Sequence, residues 1–292
     1  MPSKVLDVTL FIQPDGLARA ISDDWMRWKE ARNKAEKTWQ ETRNYVFATD
    51  TSTTTNSKLL WKNKTTRPKL CQIRDNLFAN YMAALFPTIN WFKYEVSAEE
   101  DTGEDSTQEK RIAIEAYMAS KFKESKFKDT ISRLVLDWID FGNCFGDIEY
   151  VVEKYNVPNF GEVQGYVGPR AIRVSPLDIV FDLSAPSFRQ TPKITRSLIS
   201  LGQIEKLIRS NPEWGALPSD VIAKIKDNRV RVVSDTTVEI QKSTGLVADG
   251  FHNLATYYSS GMVEFLEFEG DLYDYTSGIL YENHVITVID RA

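Results

Sequence analysis

Apolar residues recur along the first part of the chain at alternating steps of three and four positions. From Trp25 onwards these positions include Trp28 and Trp39, and charged residues fill the steps between them. This spacing places the apolar side chains along one face of an α-helix. We therefore predict an amphipathic helix over residues 23–47, which begins at Asp23 because aspartate often caps a helix N-terminus.

The same periodicity predicts three further helices before residue 142. The first is ended by Pro87, and its apolar positions are Leu70, Ile73, Leu77, Tyr81, Ala84 and Leu85. Two more are patterned by apolar residues over 112–122 and 127–141. The segment 90–98 reads as a short strand or extended piece. The acidic, turn-rich run 99–109 predicts a loop or an internal boundary.

The pattern changes at Gly142, where a glycine ends a helix and a strand is expected over residues 145–152. Ser200 and Gln203 have the spacing of a capping box, which predicts a short helix over 201–209. Further predicted elements are strands over 169–174, within SPLDIVFD and over 194–198, a helix over 218–229, and a closing hairpin that turns at 276–278.

Helices thus come first and strands follow, without a regular alternation of the two. This order indicates an α+β fold in which N-terminal amphipathic helices precede a mixed or antiparallel sheet with short helices. We predict a mainly helical part over residues 1–142 and a sheet-containing part over 143–292 that ends in a β-hairpin.

The three tryptophans of the first helix have two interpretations. An indole on the apolar face of a helix usually packs against the core of its own chain. Tryptophan is also a frequent anchor of protein interfaces, so Trp25, Trp28 and Trp39 are candidates for contact with a neighbouring subunit. We expect Trp28 and Trp39 to be core residues and Trp25, near the helix start, to reach the neighbour.

A basic segment precedes the second helix and surrounds Trp61. Its cations are weak candidates for DNA phosphate contact, although such a segment is also typical of a solvated surface: Lys58, Lys62, Lys64, Arg67 and Lys69. The whole chain carries a net charge of −5. It therefore lacks the overall basic character of an independent DNA-binding domain.

A search for catalytic patterns assigns no catalytic, metal or cofactor residue. The chain has two histidines and two cysteines, and it contains neither a phosphate-binding loop nor a nucleophilic serine elbow. Four carboxylates offer an alternative reading as Mg²⁺ ligands or an acid–base pair, although a solvated face explains them more simply: Asp137, Asp140, Asp147 and Glu149. We therefore predict a protein that is not an enzyme and needs no cofactor.

The apolar runs are too short for a membrane span, which needs about 18 to 20 apolar residues. The N-terminus has no signal-peptide pattern. Cys71 and Cys144 lie far apart in the sequence, so we expect reduced thiols and a cytoplasmic environment during assembly.

Four segments together resemble the portal, or head-to-tail connector, proteins of short-tailed bacteriophages. They are WKEARNKAEKTWQETRNY with TTRPKLCQIRDNLFANYMAALFP, then LVLDWIDFGNCFGDIEYV, then RAIRVSPLDIVFDLSAPSF with KITRSLISLGQIEKLIRSNP, and last EFLEFEGDLYDYTSGILYENHVITVIDR. Each segment is a loose pattern, and their common order and spacing carry the resemblance. It covers nearly the whole chain and corresponds to the N-terminal, wing-containing part of such proteins.

The resemblance implies a structural subunit of a homo-oligomeric ring, dodecameric in this family, at the portal vertex of the virion capsid. Its implied partners are the major capsid protein, the terminase, tail or adaptor proteins, and double-stranded DNA that passes through the channel during packaging and ejection. Portal proteins are longer, so we expect the chain to stop before the stem, clip and crown. Two alternatives stay open: a metal-dependent enzyme acting on nucleic acid, and a monomeric assembly adaptor.

Overall fold

A computed structural model shows a chain of two compact units. Unit 1 consists of residues 1–33 and 177–292, and unit 2 consists of residues 34–176. The structure describes residues 6–7, 14–47, 69–88, 91–95, 105–157, 161–183, 187–204, 223, 225, 227, 261–274 and 278–291. Helices and antiparallel strands build the fold, which confirms the α+β class. The four long helices lie before residue 142, and all described strands except the one at Leu6–Asp7 lie after it. The two compact units do not follow this boundary, because unit 2 contains residues on both sides of it.

Four long helices lie in the first half of the chain. They are α1 (Pro14–Phe47), α2 (Lys69–Leu85), α3 (Asp105–Glu124) and α4 (Phe127–Phe141). The predicted start of α1 at residue 23 is wrong, because the helix already begins at Pro14, and proline is favoured in the first helical turn. The predicted loop 99–109 is also too long, since α3 begins within it at Asp105.

The strands form one sheet in unit 1 and one hairpin in unit 2. The strands are β1 (Leu6–Asp7), β2 (Phe145–Val157), β3 (Gly161–Val174), β4 (Ile179–Phe181), β5 (Lys193–Ser200), β6 (Met262–Asp274) and β7 (Ile279–Ile289). In unit 1 the order is β1-β6-β5-β4, with β7 also paired to β6. β1 is parallel to β6, and the other pairs are antiparallel. In unit 2, β2 and β3 pair antiparallel along their whole length.

Several predicted elements are confirmed at their positions. The 194–198 strand is β5, the SPLDIVFD strand is β4, and the closing hairpin is β6 and β7. The capping box is formed, with the Ser200 amide donating to Gln203 Oε1 at 3.2 Å and the Gln203 amide donating to Ser200 Oγ at 3.3 Å. Within the predicted short strand or extended piece over 90–98, the described residues 91–95 form neither helix nor strand, and the rest of the range lies outside the described residues.

The core of unit 1 lies between the N-terminal half of α1 and the sheet. Ile21 and Trp25 of α1 pack against Leu266 and Phe268 of β6, and all four side chains are fully buried. The guanidinium of Arg196 lies 5.6 Å from the Trp25 ring centroid, in cation–π range. Burial of large apolar side chains is the main stabilising contribution in such a core.

A buried ion pair closes the end of β7 against β6 in unit 1. The Arg291 guanidinium donates two hydrogen bonds to the Glu264 carboxylate, at 2.6 and 2.8 Å, and both side chains are almost completely buried. In addition, Arg32 of α1 donates to the carbonyl oxygens of Leu177, at 3.0 Å, and Ile179. The Arg32 bonds join the two chain segments that make up unit 1. They also give the buried Arg32 cation the acceptors that it needs.

Unit 2 is organised by α4, which lies beside the hairpin. A Cβ atom at Gly146 would stand 3.3 Å from Leu134 Cδ1, so the glycine permits the close approach of strand and helix. Thr130 Oγ1 donates to the carbonyl oxygen of Ala171 at 3.2 Å. The helix ends at Gly142, as predicted: this residue has φ +72°, a left-handed conformation that glycine adopts without strain.

Candidate subunit interface

Helix α2 carries an uncovered apolar stripe. The stripe side chains recur at helical spacing and are each 43–53% exposed: Leu70, Ile73, Leu77, Tyr81 and Leu85. The helix has no buried residue in the chain as described. The sequence predicts an amphipathic helix here, and the described parts of the protein do not cover its apolar face.

The hairpin of unit 2 has a second apolar face. Ile148 and Tyr150 are each 72% exposed, and Val152 is 47% exposed. The residues opposite them in the antiparallel register are apolar too: Ala171, Pro169 and Val167. Directly opposed residues point to the same side of a sheet, so this side of the hairpin is a continuous apolar surface.

Unit 2 therefore has little core of its own. In its described residues, Tyr166 is the only large apolar side chain that is buried, with 7% of its surface exposed. Its remaining large apolar residues are half-buried or exposed, on helices and hairpin alike. Extended exposed apolar surfaces on a folded protein are typical of sites of association, so these two surfaces of unit 2 are candidate interfaces.

The three tryptophans of α1 divide between the units. Trp25 is fully buried and Trp28 is 8% exposed, both in the core of unit 1. The core position of Trp28 is confirmed, but the expectation that Trp25 reaches a neighbour is wrong, because this indole has no exposed surface to offer. Trp39 is half-buried in unit 2, edge-on to Phe141 at 5.4 Å between ring centroids. The expectation that Trp39 is a core residue is therefore wrong, because its indole is only half-buried, and its contact with a neighbouring subunit stays a prediction.

The basic segment is described at one position. Lys69 is the first residue of α2 and is exposed. The other four cations of the predicted phosphate contact lie outside the described residues: Lys58, Lys62, Lys64 and Arg67. Contact of this segment with DNA stays a prediction.

The carboxylates of the alternative metal site are not brought together. Asp137 is 4% exposed and accepts two hydrogen bonds from Arg173, one of them at 2.6 Å. Asp140 accepts two from Arg74, at 2.5 and 2.7 Å. Bidentate arginine pairs of this kind satisfy both carboxylate oxygens. In the parts of the chain that are described, no group of three His, Cys, Asp or Glu residues could hold a metal ion.

The described thiols and imidazole show no arrangement for nucleophilic chemistry. Partial burial, and then the negative charge of Asp137, raise the pKa of the Cys144 thiol. Cys144 therefore stays protonated at neutral pH, and a protonated thiol is a poor nucleophile. His284 is exposed on β7, with Nδ1 3.1 Å from the carbonyl oxygen of Glu282. His252 lies outside the described residues.

Comparison with protein families agrees with this picture of an assembling subunit. Residues 18–155 match the family model described as bacteriophage head to tail connecting protein. Over this range, which is just under half of the chain, the sequence is similar to phage head-to-tail connecting proteins. The resemblance seen in the sequence is thereby confirmed. No curated protein matches the chain.

The region matched to the connector family holds most of the uncovered apolar surface. It runs from within α1 through α2, α3 and α4 to Tyr155 of β2. The α2 stripe and the apolar residues of β2 both lie inside it. No helix in the described part of the chain is long and apolar enough to cross a membrane.

Sequence reasoning missed two features of the connector. One is the exposure of the α2 stripe, since periodicity marks an apolar face without telling what covers it. The other is a group of five aromatic rings in unit 2, from Phe86, Trp91, Phe92, Phe122 and Phe127. These residues come from four segments, and their sequence spacing gives no signal that they meet.

Proposed function

We propose that this head-to-tail connecting protein is a subunit of a portal ring at the capsid vertex. The ring forms the channel through which the genome is packaged and ejected, and it joins the head to the tail. Following the family resemblance, the ring is homo-oligomeric and has twelve copies. Capsid protein, terminase and tail proteins contact it, and double-stranded DNA passes through.

The observation that carries this proposal is the uncovered apolar surface of unit 2. A closed ring forms when each copy uses two different surfaces, one for each neighbour. Unit 2 offers two such surfaces of different shape, the stripe on α2 and the apolar face of the hairpin. Burial of both against neighbouring copies removes apolar side chains from water, which favours association.

The charge of the chain agrees with a channel that does not hold its DNA. A protein that binds DNA tightly neutralises phosphates and releases their counterions. A chain with a net charge of −5 gains little in this way, so a duplex is free to slide along its surface. Local contacts from the basic segment at residues 58–69 are compatible with sliding.

The proposal is tested by particle shape and mass. The purified chain is imaged by negative-stain microscopy and sedimented over a hundredfold range of concentration, without DNA. We expect rings and a matching large sedimenting species. Monomer at every concentration contradicts the ring and favours the adaptor. The same measurements are made on the variant Leu77→Gln/Tyr81→Gln. Loss of the rings with retained secondary structure would show that assembly depends on the α2 stripe.

A further inference from the structure

Unit 2 contains an open cleft walled by aromatic rings. The wall is formed by Phe86, Trp91, Phe92, Phe122 and Phe127, from the ends of α2 and α3, the start of α4 and the segment 91–95. We call this feature the aromatic cleft. Its volume is about 770 Å³, within the range of cavities that take up a ligand or several side chains.

The rings pack mainly against each other. Trp91 lies at the centre, with ring centroids of Phe86 at 5.0 Å, Phe122 at 5.3 Å and Phe127 at 5.9 Å. Phe127 stacks on one face of the indole, with 7° between the planes, and Phe86 meets it edge-on. All five side chains are nevertheless only half-buried. The cleft therefore offers an apolar wall of rings held in fixed positions.

Lysines surround this wall. Lys93, Lys123 and Lys128 line the cleft, and Glu115 is its acidic lining residue. Glu115 Oε1 accepts a hydrogen bond from the Tyr94 amide at 3.0 Å, so part of its charge is already engaged. The three lysines form no ion pair with a described residue. A positive rim on a chain of net charge −5 is complementary to an acidic ligand.

We propose that the aromatic cleft binds a peptide segment of another protein, in which an aromatic or branched side chain is flanked by carboxylates. The apolar side chain enters between the rings, and the carboxylates pair with the lysines at the rim. Partner segments commonly bind in an apolar groove in this way, through one or a few apolar anchor side chains. The proposal stands apart from the ring, because it uses none of the α2 stripe or hairpin residues.

The geometry favours a peptide over single-stranded nucleic acid. Bases bind by stacking on open aromatic faces. Here Phe127 covers a face of Trp91, and the other ring pairs are inclined to each other by 41° to 83°. The wall thus offers ring edges, because ring faces are covered by neighbouring rings. Such a wall suits one branched or aromatic side chain better than a row of flat bases.

The test measures binding of a labelled synthetic peptide, Asp-Glu-Phe-Leu-Glu-Asp, to the full chain by fluorescence anisotropy. We expect saturable binding that weakens with salt, since the rim pairs are screened. A peptide with lysine at the four acidic positions and one with serine for Phe-Leu should each bind at least about tenfold more weakly. No binding of the acidic peptide, or equal binding of all three, overturns the proposal. So does tighter binding of a single-stranded oligothymidine.

Two variants with matched controls locate the site. Ala119→Trp fills the cleft from α3, and Ala113→Trp places the same indole on α3 outside it. The second variant reverses the charge of the three rim lysines, in Lys93→Glu/Lys123→Glu/Lys128→Glu. Its control makes the same change of charge at three exposed helix positions, in Lys34→Glu/Lys37→Glu/Lys110→Glu. We expect each cleft variant to weaken binding about tenfold or more and each control to leave it within about twofold. Equal effects of variant and control contradict the cleft. Circular dichroism shows which variants fold. If Ala119→Trp does not fold, the triple charge-reversal variant decides whether the cleft is the binding site.

Discussion

Trp25 and Trp138 show that tryptophans on two helices of the same chain can be buried or exposed. Its indole has no exposed surface, lies against β6 and has the Arg196 guanidinium over its ring. Trp138 has the same side chain on α4 but is 50% exposed. The same residue type at helical spacing therefore reports two different environments, and only the structure distinguishes them.

Truncation of the two tryptophans should differ accordingly. Trp25→Ala removes a buried ring and leaves a cavity, so we expect the free energy of unfolding to fall by about 3–5 kcal/mol. Trp138→Ala, the matched control, removes a side chain that is already half in water and should change it much less. Urea denaturation of both variants measures the difference. Equal losses would mean that Trp25 is not part of the core.

Asp24, beside Trp25 on α1, gives the stability a pH dependence. Burial raises the pKa of its carboxyl above the ordinary value of 3.8; Arg27 opposes this shift, whereas Asp23 and Asp182 add to it. The folded chain then holds this proton more tightly than the unfolded chain. The ionised carboxylate therefore lowers stability at neutral pH, and this cost declines as pH falls through the raised pKa and vanishes below 3.8.

Asp24→Asn should consequently raise the free energy of unfolding at neutral pH and lose this advantage in acid. Urea denaturation of the variant and the parent at several pH values between neutral and acid measures both parts. The exposed neighbour Asp23→Asn is the control and should show a smaller change. An Asp24→Asn variant that is less stable than the parent at neutral pH contradicts the sign.

At the scale of elements, the sequence predicted where most helices and strands lie, because their patterns are local. The ends of α2 and α4 follow from Pro87 and Gly142. β3 was predicted only from residue 169 but begins at Gly161. Its first half contains glycine and polar residues, which weaken the strand pattern. Pairing with β2, a non-local interaction, makes it a strand.

The interface surface could be predicted only in part for the same reason. Periodicity identifies Leu77 and Tyr81 as one face of α2, as the structure confirms. It does not tell whether that face meets its own chain or another. The partners of Asp137 and Asp140 were equally hidden, since Arg173 and Arg74 are distant in sequence and reach them only in the folded unit.

Polar substitution of the α2 stripe should separate assembly from folding. In Leu77→Gln/Tyr81→Gln both side chains are exposed in the protomer, so we expect a change in unfolding free energy within about 0.5 kcal/mol for each substitution. The dissociation constant of the assembly should rise about tenfold or more, because buried interface anchors are lost. Sedimentation velocity and thermal unfolding give the two quantities.

The control carries the same two changes on unit 1. Leu183 and Tyr281 are 60% and 41% exposed, so Leu183→Gln/Tyr281→Gln is matched in residue type and similar in exposure. It should leave assembly intact. If both double variants weaken assembly alike, the stripe is not the contact surface.

The whole molecule is expected to be without catalysis. Arginines engage Asp137 and Asp140, and the connector family has a structural role. The purified chain should neither hydrolyse ATP nor cleave plasmid DNA in the presence of Mg²⁺. Phosphate release and gel electrophoresis measure the two activities. Cleavage that disappears in Asp147→Ala would instead support the metal-dependent enzyme.

Unit 1 is assembled from two segments of the chain, and unit 2 lies between them in the sequence. On the ribosome, α1 therefore emerges long before its partner strands. The Trp25 indole must wait for Leu266, which at about 5–20 residues per second takes roughly 10 to 50 seconds. For most of that time, once residue 85 has been added, the apolar face of α1 and the stripe of α2 are both present on the same nascent chain. Newly made copies on one polysome thus expose these apolar surfaces to one another before unit 1 is complete.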